Sequence, residues 1–502
     1  MSSRGPGRGS NTSSPFGPYT LLRKIATGGT AEIFLARRHG VEGFARHLAI
    51  KRILPHLEAE AGFVKLLMDE ARLAAHLHHG HIIPIYEVGV EAGLAYIAME
   101  YLPGTDLGRL HRTARRHRRR VLVATRDVAW REAISNAIGK RVDVEIVTAL
   151  DASQCRERSA EGHLDLALID TQLVAPQRDP LLRELQSDHP ELLRTLLLGP
   201  TPGRHHGCHA VGLEDRSPAS LADVAQRCLS ARVPIELSIQ IVRAVAEALD
   251  YAHTATDFSG RPLHVVHRDV NPSNVLISLG GVVKLVDFGI ARAAVRPGEE
   301  GRGNLVGTVN YMCPEQACGV EPDLRGDVFS LGVVLHELIS GEHPFSADNE
   351  FATLRAIRET YQKPLARLIP GIPRGISDLC ERSLIKDPGH RMATAADLLT
   401  GLEELVRHEG LSLSPKRLAK YLDFVYTPDE RTAMGVADAA YTYPPTPAVQ
   451  VDAARNALDA ARNDREVARN ALDAARNDRE VEVDVDLGDL EDFDDHGGHT
   501  VG

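Results

Sequence analysis

The chain has 502 residues, 43% of them hydrophobic and 25% charged, which is ordinary for globular domains and leaves room for two to four of them. Its net charge of -11 is uneven: residues 480–495 hold nine acidic side chains and no Lys or Arg, so the remainder sums to about -2 and the acidity belongs to the tail. Six cysteines (Cys155, Cys208, Cys228, Cys313, Cys318, Cys380) without a CxxC pair exclude a disulfide framework and a zinc pattern. With neither a signal-type apolar segment near residue 1 nor a run of about 18 apolar residues, they predict a cytoplasmic protein without a membrane span.

Residues 1–16 offer almost nothing to bury and read as a disordered leader. Residues 19–101 follow with short β-type runs and one amphipathic helix over 63–77, where Leu66, Leu67, Leu73, Ala74 and Leu77 fall at helical spacing. The stretch 111–120 holds six arginines. Contact with nucleic acid or anionic lipid is one reading of it. A solvated helix end facing an acidic partner, such as the chain's own tail, is preferred, and no nucleic-acid partner is expected.

Residues 121–229 alternate strand and helix, with strands expected at 121–124, 144–147, 164–169, 195–198 and 210–213. Five such units predict a doubly wound parallel sheet. From Pro234 to about Gly410 the pattern is mainly helical, with one long helix over 235–254. Residues 454–481 are a 14-residue block, ARNALDAARNDREV, repeated twice; its seam is mostly alanine broken by Asp464 and Asp478, so a solvated helix or disordered spacer is favoured over a coiled coil. The cluster His205-His206-Gly207-Cys208-His209 lacks a second ligand group at a spacing that closes a tetrahedral site, and reads as a polar loop.

The chemistry concentrates in His267-Arg268-Asp269-Val270-Asn271-Pro272-Ser273-Asn274, followed by Asp287-Phe288-Gly289, with short strands expected between them. Phosphoryl transfer requires a carboxylate to orient the attacking hydroxyl and oxygen ligands for magnesium. Asp269 suits the first task; Asn274 and Asp287 suit the second. This series resembles the catalytic and magnesium loops of the eukaryotic-like protein kinases, specifically the bacterial serine/threonine branch.

Further motifs extend the resemblance in order. Leu48-Ala49-Ile50-Lys51 is similar to the strand bearing the phosphate-binding lysine, and Glu70 to the helix acid that pairs with it. Gly307-Thr308 and Cys313-Pro314-Glu315 resemble the end of an activation segment. Asp327, and Arg391 paired with Glu315, resemble two buried anchors. The resemblance implies a two-lobed α+β fold with ATP and Mg2+ between the lobes. Ile25, Gly28, Gly29, Ile33 and Ala49 would surround the nucleotide. Met99 would be the gatekeeper, Glu100 to Leu102 the adenine hinge, and Asp106 a ribose contact.

Three departures stand out. Ala26 and Ala31 replace outer glycines of the family's phosphate loop, which predicts weaker phosphate contact. Asn271 replaces the lysine that contacts the transferring phosphate; asparagine cannot neutralise charge, so a reduced rate is expected. Pro272 and Thr308 favour Ser/Thr substrates. Thr308 is the one Ser or Thr in 287–315, so switching is expected to be independent of phosphorylation there, with Glu299 and Glu300 as fixed charges near Arg268.

The stretch between the two halves resembles a response-regulator receiver, with Asp170 at the acceptor position. Thr125 and Arg126 occupy the places of its acidic pair, and Glu214 or Asp215 that of its lysine, so a receiver-like domain used for binding or allostery is expected. The organisation reads as leader 1–16, first kinase part 17–112, insert 113–230, C-lobe 231–408, and a largely disordered linker, repeat and tail region 409–502. The function read from this is a signalling kinase acting on protein Ser/Thr hydroxyls, with a regulatory partner for the insert. The alternative is a pseudokinase scaffold that binds nucleotide and partners without catalysis.

Overall fold

The computed structural model describes residues 13–435 apart from 40–44, 59–60, 115–117, 175–177, 199–209, 214, 232, 289–308 and 370. The sequence repeats, the acidic tail, the His205–His209 cluster, Thr308, Glu299 and Glu300 lie outside the described residues.

The N-terminal part is an antiparallel sheet of six strands: β1 (Ser14–Phe16), β2 (Tyr19–Thr27), β3 (Ala31–His39), β4 (Ala45–Ile53), β5 (Ile85–Glu91) and β6 (Leu94–Glu100), in the order β1-β2-β3-β4-β6-β5. One face closes over the helix Ala61–Ala74, whose buried Leu67, Met68, Ala71 and Ala74 recur at helical spacing. The expected leader ends sooner than residue 16. Phe16 is buried and meets Tyr96 edge-on at 5.4 Å, which draws Ser14–Phe16 into the sheet beside β2.

After β7 (Gly104–Asp106) and the helix Leu107–Thr113 comes a second sheet, wholly parallel. Its strands are β8 (Arg119–Ala124), β9 (Val144–Ala149), β10 (Leu166–Asp170), β11 (Arg194–Leu198) and β12 (Ala210–Leu213), within a residue or two of those expected. They are ordered β12-β11-β10-β8-β9. Counted along the chain this is 2-1-3-4-5, the flavodoxin-like doubly wound order. Continuous apolar strands demand cover on both faces, and separate cores lie on the two sides of this sheet.

The arginine stretch does not end as a solvated helix. Arg119 and Arg120 open β8 and are 8% and 5% exposed, held by Asp165 and by Glu145 and Glu161 respectively. Such carboxylates offset the cost of taking a guanidinium out of water.

The helical part is organised around Ile235–Thr254 and Leu324–Ser340, each with 14 buried residues, with β13 (Val275–Ser278) and β14 (Val283–Leu285) pairing beside β7. Gly341 has φ +76°, and a Cβ there would lie 2.0 Å from the Ser230 carbonyl oxygen, so the C-terminal end of the insert packs directly on this part. The expected disordered linker from 409 gives way to two more helices, Pro415–Val425 and Pro428–Met434. Leu418, Tyr421, Leu422, Val425, Tyr426 and Met434 are buried in the main core, so residues 411–435 belong to the folded body.

Candidate active site

Asp327 organises the loop before β13. Its Oδ2 accepts the backbone N–H of His267 and its Oδ1 that of Arg268, both at 2.7 Å, while the His253 ring lies 2.8 Å from Oδ2. Arg268 sits at φ +64° and Asp287 at φ +62°, left-handed conformations that a non-glycine residue holds only where its surroundings compel it. For Arg268 these are the Asp327 carboxylate, the Gln316 amide donating to its carbonyl at 2.9 Å, and Glu321, which takes its guanidinium at 2.6 Å.

Asn274 donates from Nδ2 to the Asp269 carbonyl at 2.8 Å and to Asp269 Oδ2 at 3.0 Å. The Val286 N–H donates to the Asn274 carbonyl at 3.0 Å, fixing the chain that enters Asp287. From the other lobe, Lys51 on β4 places Nζ 2.8 Å from Asp287 Oδ1. The structure therefore brings together Lys51, Asp269, Asn274 and Asp287, though more than two hundred residues separate the first from the rest. The Glu70 side chain is not among those described, so its expected pairing with Lys51 lies outside them.

Asn271 caps the turn Pro272–Asn274. Its Oδ1 accepts the Ser273 N–H at 2.8 Å and its Nδ2 donates to the Asp269 carbonyl at 3.1 Å, so both ends of the amide serve the loop. Of the expected nucleotide contacts, Ala49 and Met99 are paired across β4 and β6, and Leu102 is buried just beyond. Ile25 is exposed and Ile33 packs against the core. Gly28 donates its N–H to the Ala31 carbonyl at 2.8 Å, closing the Gly28–Gly29 turn, while Ala31 is itself buried in the core. Glu100 turns its carboxylate away to Lys284 Nζ at 2.6 Å, both 8–9% exposed, and donates its backbone N–H to the Pro84 carbonyl at 3.0 Å. Asp106 caps Leu107–Thr113 by accepting the Arg109 N–H at 2.7 Å, a structural task beside the expected ribose contact.

Arg391 donates from Nη1 and Nη2 to the two oxygens of Glu315 at 2.7 and 2.9 Å, as the paired anchors predict. Burial works against the Glu315 carboxylate, but the Arg391 guanidinium outweighs it and holds the carboxyl below its ordinary range.

Residues 213–408 match the model of the protein kinase domain. The chain carries a protein kinase domain. The match begins inside the insert, at the end of β12, and does not include the β-rich lobe. The tyrosine-protein kinase MasK of Myxococcus xanthus is 31% identical over 389 residues, 78% of this chain and 43% of the relative. The serine/threonine-protein kinase PknD of Mycobacterium tuberculosis is 26% identical over 450 residues, 86% of this chain and 47% of the relative. The probable serine/threonine-protein kinase CPE1738 of Clostridium perfringens is 35% identical over 186 residues, 37% of this chain and 26% of the relative. The chain spans less than half the length of these relatives. The kinase domain of M. tuberculosis PknI aligns with a TM-score of 0.41 at 20% identity, over 78% of this chain and 97% of that one.

Sequence reasoning missed Glu321 as the partner of Arg268, since no spacing rule connects two exposed loops. It also missed Arg216, which reaches Asp170 Oδ2 at 2.7 Å. No helix among the described residues is long and apolar enough to cross a membrane.

Proposed function

We propose that the chain transfers the γ-phosphoryl group of ATP to Ser or Thr hydroxyls of proteins. The observation that carries this reading is the pair of contacts Lys51–Asp287 and Asn274–Asp269, linked by the Val286 N–H on the Asn274 carbonyl. Asp269, held by Asn274, presents its carboxylate to orient a substrate hydroxyl and take its proton. Lys51 steadies the α- and β-phosphates, with Glu70 as its expected second partner. Ile25, Gly28, Gly29, Ile33, Ala49, Met99, Leu102 and the Glu100 backbone form the nucleotide's surroundings, and Asp106 lies at its ribose end. Asn274 and Asp287 offer the hard amide and carboxylate oxygens that magnesium prefers, and would hold it. When bound, that ion neutralises charge on the phosphates. Thr308 would face the substrate.

The inserted domain supports a second part of the proposal, that it is a degenerate receiver with a regulatory role in cytoplasmic signalling. Its strand order and the position of Asp170 at the end of its third strand favour this. A cation of the chain itself already occupies that carboxylate: Arg216, stacked over Trp130 at 5.0 Å, pairs with Asp170. Asp170 therefore acts as a strand-end anchor and not as a phosphate acceptor.

A scaffold without catalysis is favoured by Asn271, whose amide is spent on its own loop and carries no charge toward a phosphate. Retention of Lys51 paired with Asp287, and of Asn274 paired with Asp269, favours the enzyme. Phosphoamino-acid analysis of a mixed protein substrate after labelling from ATP tests the reading. Phosphoserine and phosphothreonine support it; phosphotyrosine alone moves the substrate class to that named for MasK, and label on neither the substrate nor the chain refutes it.

A further inference from the structure

The helices Pro415–Val425 and Pro428–Met434 touch the inserted domain at one end and the hinge at the other. At its start the segment packs on the turn between β13 and β14, where Gly281 (φ +79°) lets Pro415 approach so closely that a Cβ would lie 1.9 Å from its carbonyl oxygen. Arg417 forms an ion pair with Glu236, which also accepts a hydrogen bond from Gln186 of the insert. Tyr421 is fully buried within electrostatic reach of Arg119, Asp165 and Glu191, all three from the insert. The Phe424 ring lies 5.3 Å from the ring of His163, at the border of a cleft of about 650 Å³.

At the second end the same segment meets the nucleotide site. The Tyr426 hydroxyl lies 3.0 Å from Thr105 Oγ1 in a buried contact. Tyr101 donates to the Met434 carbonyl at 2.7 Å, and Arg23 of β2 donates to the Ala433 carbonyl at 3.0 Å and to the Tyr101 hydroxyl at 3.2 Å. One short stretch of chain thus holds both the connection between the lobes and the strand that opens the phosphate loop.

We propose that residues 411–435 are a strap through which the inserted domain sets the geometry of the nucleotide hinge, with Tyr426 and Phe424 as its positioning residues. Rigidity of the segment provides the coupling. A helix packed on both sides cannot absorb displacement at one end, and close-packed interiors pass strain on. A shift of the loop bearing His163 therefore moves Phe424, the same helix moves Tyr426, and the hinge at Thr105 follows. The proposal deepens the kinase reading and depends on it only for what the hinge binds.

The test uses the full chain with His163→Ala, which removes a partly buried ring beside the cleft whose Nε2 lies 2.9 Å from the Arg118 carbonyl, and Tyr426→Phe, which removes one hydroxyl. Amide hydrogen exchange over 100–106 is read first because it needs no activity. The strap predicts faster exchange there in both variants, with thermal midpoints near that of the parent. Affinity for ATP with magnesium should weaken about threefold or more in Tyr426→Phe, the range of one buried hydrogen bond, and in the same direction in His163→Ala, with the change in KM for ATP rather than in kcat. Unchanged exchange over 100–106 in His163→Ala overturns the strap even if the chain is an active kinase. Faster exchange in a chain that transfers no phosphate retains the strap and removes the kinase reading.

Discussion

Lys51 and Asp287 meet at 2.8 Å across the space between the lobes, the one from the strand β4, the other from the loop after β14. Lys51 is only 8% exposed, so its ammonium is committed to this site and not to solvent. Replacing it by Met removes the cation from a partly buried carboxylate. Lys51→Met is expected to lower phosphate transfer at least 100-fold, the scale of losing one group that stabilises developing charge, while the circular dichroism spectrum stays that of the folded chain.

Asn271 gives a prediction in the opposite direction. Its amide caps the turn Pro272–Asn274 and carries no charge. Asn271→Lys is expected to raise kcat, and to cost about 1 kcal/mol of stability through loss of the cap. Steady-state kinetics and chemical denaturation read the two effects separately.

The Arg391–Glu315 pair is a stability device, with the Arg391 side chain fully buried. Arg391→Ala strands a largely buried carboxylate and is expected to destabilise the chain by about 3–5 kcal/mol. Glu315 also predicts a pH dependence. Its carboxyl is held below its ordinary range in the folded chain, so its contribution is present above the unfolded value, about 4.3, and is lost as pH falls through the depressed folded value. Denaturation followed from pH 7 downward should show that loss in the parent chain, and a shallower one in Glu315→Gln.

Asp170 accepts from Arg216 at 2.7 Å and from the backbone N–H of Gln172 at 3.0 Å. Incubation with acetyl phosphate and magnesium should leave it unmodified by mass spectrometry. Arg216→Ala should leave it unmodified too, because Thr125 and Arg126 still stand where a receiver has its acidic pair. Phosphate found on Asp170 in either protein would return the insert to the class of true acceptors.

The parts of this architecture legible in the sequence were those written locally. The helix Ile235–Thr254 and the five strands of the insert follow from hydrophobic period alone, and the sequence around Asp269 and Asp287 is dense enough to announce its chemistry. What stayed hidden depends on contacts between distant segments. Residues 415–434 look polar and unremarked until Leu418, Leu422 and Met434 are seen buried against the hinge side of the core. Arg119 and Arg120 looked like part of a solvated charge run, because nothing local to them shows that Asp165 lies 2.5 Å from the first. Asn271 is the converse case. Its departure from the expected lysine was plain, but its use as a cap required the backbone of Ser273 to be in place.

The most direct test of the central claim is transfer of labelled phosphate from ATP, with magnesium, to a mixed Ser/Thr protein substrate by the parent chain and by Asp269→Asn. Asn274 donates both to the Asp269 backbone carbonyl and to Oδ2, and an asparagine at 269 keeps the carbonyl and one acceptor oxygen, so the substituted loop should keep its shape, and nucleotide-induced thermal stabilisation should match the parent. The account predicts label on Ser or Thr in the parent and its loss in the variant. Equal label from both proteins, or none from a parent chain that binds nucleotide, would contradict it.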